Sequence, residues 1–76
     1  MSISKLQKEK LDALGKRVKA IRKKKKLTLK ALANSIDKDP QSIHRLEMGD
    51  VNPSYLYLLD VCEGLEIEIT DLLKNL

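Results

Sequence analysis

Few side chains in this 76-residue sequence are equipped for chemistry. His44 is the only histidine and Cys62 the only cysteine, and neither has a carboxylate at evident catalytic spacing. A general base or an activated nucleophile needs such a partner, so His44 reads as a satisfied or solvent-facing imidazole. No phosphate-cradling glycine loop and no metal-ligand cluster occurs. An enzyme is therefore the weakest reading, and no cofactor is expected. What remains is hydrogen bonding. Gln41 and Arg45 stand four residues apart; glutamine can bond bidentately to adenine and arginine to guanine. The same two residues also suit an ordinary solvated helix face, and residue type alone does not decide between them.

The elements that would position this pair can be read from spacing. With Ile43 at zero and about 100° per residue, Leu46 and Glu47 lie beside Ile43. Gln41, Arg45 and Met48 point the opposite way, and His44 sits on the flank. Asp39 at the cap and Pro40 at the first helical position give a strong start signal, since the missing proline N–H costs nothing there. The helix is expected over about 40–48, with Gly49 suited to a left-handed cap. Before it, Leu29, Leu32, Ala33 and Ile36 recur at i, i+3, i+4 and i+7, which predicts a helix over about 29–36 with Thr28 as its cap. The turn between them is Asp37-Lys38.

Upstream, Leu11, Leu14, Val18 and Ile21 form one face of a helix ending near Lys25. Met1 to Lys10 is polar and weakly patterned; it either extends that helix or frays, with fraying expected through Ser4. Downstream, Ser54 caps a helix over Tyr55 to Glu63. Its stripe is read as Leu56, Leu59 and Cys62, with Leu58 and Val61 alongside and Gly64 closing it. Ile67 and Ile69 flank a short turn before a fifth helix, Thr70 to Asn75, which uses Leu72, Leu73 and Leu76. No strand is needed. The expected fold is all-α: a compact five-helix domain over 13–76, preceded by a segment 1–12.

Composition narrows the function classes. There are two tyrosines and no phenylalanine or tryptophan, so the core is built of Leu, Ile, Val and Ala. One cysteine excludes an internal disulfide and a cysteine-rich zinc site, and its place on an apolar stripe points to a buried structural thiol. No run approaches membrane-span length and the start MSISKLQKEK lacks a signal core, which points to a cytoplasmic protein. Net charge is +4, but unevenly distributed. Residues 1–26 carry +9, residues 27–45 carry +1 and residues 46–76 carry −6. A basic half beside an acidic half points to one side facing a polyanion. Lys23 to Lys26 alone reads as a solvated helix end; beside two helices joined by a turn it reads better as a phosphate-contact strip.

The order of these residues resembles the phage repressor and Cro-type helix-turn-helix family, also called the xenobiotic-response-element type. The resemblance rests on Leu32-Ala33, Ile36, Gln41-Ser42-Ile43, Leu46-Glu47, Gly49 and Asn52-Pro53-Ser54 with the leucines that follow. Leu14-Gly15-Lys16-Arg17-Val18 and Arg22 fit upstream, so it spans residues 13 to 73. It implies sequence-specific binding of double-stranded DNA by a transcription regulator of repressor, controller-protein or antitoxin type. Gln41 and Arg45 would read bases, with Pro40 and His44 beside them. Thr28, Lys30, Ser42, Lys19, Lys23 and Arg22 would contact phosphates. It also implies an ion pair between Arg22 and Glu47, which an inward-facing glutamate needs in any case. A (pseudo)palindromic operator and a homodimer through the acidic C-terminal region follow, where Tyr55, Tyr57, Leu58 and Leu76 exceed what one core needs. No membrane partner and no small-molecule ligand is implied.

The sequence departs from the family at several places. Leu29 stands where a phosphate-binding glutamine is common, Pro40 leaves only apolar contact such as a thymine methyl, and the loop at Asp50 is acidic. Lys26 and Asp37 replace frequent glycines. The alternative is a non-catalytic interaction module that binds an acidic partner or anionic surface through the basic first helix. Such a module would need neither the Gln41/Arg45 face nor an Arg22–Glu47 pair.

Overall fold

Polar side chains set the starts of the helices. In the computed structural model, which describes residues 3–76, α1 (Lys5–Lys24) begins behind Ser4. The Ser4 hydroxyl accepts from the Gln7 N–H at 3.1 Å, and the Gln7 side chain accepts from the Ser4 N–H at 2.9 Å. This reciprocal box satisfies two orphan donors. Ser4, expected to fray, therefore caps, and α1 starts well before the stripe at Leu11; residues 1 and 2 lie outside the described residues. Thr28 accepts from Ala31 at 2.9 Å to open α2 (Leu29–Ser35). Asp39 accepts from Gln41 at 2.9 Å to open α3 (Pro40–Glu47), and Ser54 accepts from Tyr57 at 3.0 Å to open α4 (Tyr55–Leu65). At α5 (Ile69–Leu73) the Glu68 N–H donates to the Asp71 carboxylate at 3.0 Å. The described residues hold five helices and no strand.

These helices enclose one aliphatic core. α1 packs on α3 and α5, α2 packs on α3 and α4, and α4 packs on α5. Val18, Leu32, Ile43, Leu46, Val61, Leu65 and Leu72 are fully buried. Each such side chain contributes about 1.5–3 kcal/mol when removed from water. Gly15 lets α1 approach α3, since a Cβ there would strike the carbonyl oxygens of Leu46 and Glu47.

The C-terminal half differs from the spacing-based expectation in three ways. Leu56 is 70% exposed, so the α4 core face is not Leu56, Leu59 and Cys62. It is Leu58, Val61, Cys62 and Leu65, again i, i+3, i+4 and i+7. Gly64 does not end α4 but lies inside its last turn: a Cβ there would sit 2.7 Å from Leu32 Cδ1 and Ile36 Cγ2, so its bareness admits α2. Glu66 takes the left-handed cap instead, at φ 58°. Finally, α5 is shorter than expected; Leu72 is buried, whereas Leu73 and Leu76 are 44% and 52% exposed. Ile36 follows α2 as its C-cap and packs on the core from outside the helix. Lys26 at φ 60° and Asp37 at φ 56° make their turns with a Cβ, which costs about 1 kcal/mol each.

Candidate nucleic-acid interface

The second helix of the helix-turn-helix is α3, and its orientation follows from what it buries. Ile43 and Leu46 are sealed in the core, at 0% and 1% exposure. Glu47 turns inward beside them, while Gln41, His44 and Arg45 are exposed and Pro40 is half-buried. α3 is thus docked by one side and presents a row of polar side chains on the other.

Arg22 fixes that orientation from α1. Its Nε donates to Glu47 Oε2 at 2.7 Å and its Nη2 to Oε1 at 3.1 Å, a bidentate pair. The two side chains are only 9% and 2% exposed. Nη1 donates to the Leu27 carbonyl at 2.7 Å, so one guanidinium joins α1, the loop before α2 and α3. No buried side-chain N or O among the described residues lacks a partner, which is the condition for such a pair to be tolerated. Three of the five guanidinium N–H groups are engaged in this way, and the group is turned to Glu47 and Leu27.

Ser42 is also held by bonds within the protein. Its hydroxyl donates its single proton to the Asp39 carbonyl at 2.7 Å and accepts from the Tyr57 hydroxyl at 3.0 Å. Tyr57 also lies under Lys38, whose Nζ is 5.4 Å from the ring centroid and 3.3 Å from the Asp60 carboxylate. Together these contacts latch α4 to the start of α3. The other cations proposed for phosphate contact, Lys19, Lys23 and Lys30, are exposed and enter no ion pair among the described residues. Thr28 is exposed at the start of α2.

Two cations missed in the sequence close helix ends. Lys8 Nζ donates to the Met48 and Gly49 carbonyls at 3.1 and 2.9 Å, and meets Asp50 at 3.2 Å and Asp12 at 2.9 Å. These carboxylates raise the Lys8 pKa, the Asp12 hydrogen bond most strongly, against a smaller opposing effect of desolvation. Arg17 reaches the end of α5 at the Lys74 and Leu72 carbonyls, at 2.9 and 3.2 Å. Cations at helix C-termini complement the dipole. The i, i+4 spacing of Lys8 and Asp12 was the one visible hint of the first. Cys62 is buried, and burial pushes its thiol pKa up, with Asp71 and Glu68 adding to the effect.

Comparison with known proteins agrees with this geometry. A helix-turn-helix domain family matches residues 15–75. The restriction-modification controller protein C.AhdI from Aeromonas hydrophila superposes with a TM-score of 0.82 at 28% identity, over 84% of this chain and 97% of that one. The clp gene regulator ClgR from C. glutamicum superposes with a TM-score of 0.79 at 32% identity, over 83% of this chain and 82% of that one. No curated protein sequence matches the chain. The chain belongs to the helix-turn-helix domain family, and its fold is that of the phage repressor and Cro type of DNA-binding transcription regulator.

Proposed function

We propose that this protein regulates transcription by binding a (pseudo)palindromic operator as a homodimer, with α3 of each protomer in the major groove. Gln41 and Arg45 read base edges there, by bidentate bonds to adenine and guanine. His44 contacts the margin, and Pro40 offers apolar contact to a thymine methyl. Lys19, Lys23, Lys30 and the Thr28 hydroxyl contact backbone phosphates, which set register but carry no sequence information. The acidic C-terminal region faces the second copy and lies away from DNA, consistent with the charge separation along the chain. Two recognition helices then meet half-sites about 34 Å apart. The cytoplasm is the compartment this role requires. C.AhdI is a controller protein of restriction-modification; the operator sequence decides whether this chain serves a system of that kind or another set of genes.

The observation that carries the reading is the one-sided burial of α3: Ile43, Leu46 and Glu47 are inside while Gln41, His44 and Arg45 are outside. Selection from random duplexes tests it. The expected product is a motif of two inverted half-sites one helical turn apart. Recovery of sequences with no shared motif, together with retention of an acidic protein partner, supports instead an interaction module acting through α1.

A further inference from the structure

The segment carrying Lys8 lies outside the family match, which begins at residue 15. It nevertheless touches the end of the recognition helix twice. Gly49 sits against Asp12, so closely that a Cβ at Gly49 would lie 3.0 Å from the Asp12 backbone nitrogen. One turn earlier on α1, the Lys8 ammonium has four oxygens within 3.2 Å: the carbonyls of Met48 and Gly49 and the carboxylates of Asp50 and Asp12.

What the ammonium holds is the C-terminal cap of α3. Gly49, at φ 73°, sends its N–H to the Leu46 carbonyl at 3.1 Å, and Asp50 sends its N–H to the Arg45 carbonyl at 3.0 Å. This paired closure is the Schellman arrangement, and its outer bond ends on Arg45 itself. Beyond the helix, the carbonyls of Met48 and Gly49 receive no backbone N–H among the described residues; Lys8 satisfies both. Without the ammonium, two carboxylates and the negative end of the helix dipole would face one another uncompensated. The last turn of α3, which carries Arg45, would be the part released.

We propose that Lys8 is a positioning residue for DNA recognition: it clamps the Arg45 turn of α3 from the N-terminal half of α1, so that Arg45 is presented in a single orientation. The proposal rests on α3 being the base-reading helix. It assigns the first turns of α1, beyond the family domain, a role in specificity. Lys8 itself is turned toward the protein, so its contribution differs from that of a phosphate-contacting lysine, which strengthens binding to every sequence alike.

The test uses the full chain with Lys8→Met, which keeps an unbranched stem and removes the charge, and with Lys8→Arg. Amide exchange of Gly49 and Asp50 is followed in the free protein. Affinity is measured for the duplex recovered by selection and for a scrambled duplex of equal length. Lys8→Met is expected to speed both amides several-fold and to weaken the selected duplex about tenfold while changing the scrambled one less than about twofold. Lys8→Arg, which restores a cation and its donors, is expected to recover most of the discrimination. Equal weakening on both duplexes would make Lys8 a phosphate contact and overturn the proposal. Unchanged discrimination overturns it too, whatever the amides do. An unmutated protein that fails to distinguish the duplexes refutes the recognition-helix reading itself. In that case the amide exchange still reports whether the clamp exists.

Discussion

Glu47, with 2% of its side chain exposed, must be neutralised where it stands, and Arg22 does so with two hydrogen bonds from across the core. Removing one partner of such a pair leaves a buried charge alone, at about 3–5 kcal/mol. Glu47→Ala is therefore expected to lower the unfolding free energy in urea by that amount, and a loss below about 1 kcal/mol would show that water reaches Arg22. Cys62 gives a second expectation. Its folded pKa is raised by burial and by Asp71 and Glu68, so the folded state holds the thiol proton to higher pH than the unfolded chain does. The stability tied to that proton is fully present below the unfolded thiol pKa and is lost as pH rises through the folded one. Native protein at neutral pH should resist thiol alkylation until denaturant is added; rapid labelling without denaturant would contradict this. At this scale the Arg22–Glu47 pair was legible because an inward glutamate demands a cation and the family resemblance implies that Arg22 is the one. The bonds Tyr57–Ser42 and Lys8–Gly49 were not. They join residues 15 and 41 positions apart, where no periodicity links the partners.

Helix starts were readable wherever a capping side chain preceded an apolar stripe, as at Thr28, Asp39-Pro40 and Ser54. The start of α1 carried a signal of the same kind, Ser4 with Gln7 three residues on, but the polar residues around it obscured a stripe. α4 failed for the opposite reason. In YLYLLDVCEGL nearly every position is apolar, so stripes through Leu56 and through Leu58 fit equally well, and only contact with α2 and α5 selects the second. Gly64 looked like a helix terminator because glycine is common there; its actual constraint is the Leu32 and Ile36 side chains 2.7 Å from where a Cβ would be. Gly64→Ala is accordingly expected to destabilise by about 1–3 kcal/mol through overpacking, seen as a lower midpoint in thermal unfolding. A neutral or stabilising effect would indicate that α2 and α4 separate without penalty.

At the scale of the whole molecule, charge is uneven along the chain, with +9 over residues 1–26 and −6 over residues 46–76. Lys23 lies in the basic half and is exposed, so Lys23→Ala should weaken binding to all duplexes and reduce the slope of log affinity against log salt by about 1. A loss confined to one sequence would place Lys23 on a base. The proposed dimerisation rests on a surplus of apolar residues in the C-terminal region. Of these, Tyr57 and Leu58 pack on the core, while Tyr55 and Leu76 are 63% and 52% exposed and available to a second copy.

Whether the outward face of α3 reads bases is decided by repeating the duplex selection with Arg45→Ala. One position in each half-site is expected to lose its base preference, at about 1–3 kcal/mol of discrimination, while half-site spacing and the remaining positions persist. A motif recovered unchanged, or lost at every position together, would show that α3 does not read bases through Arg45.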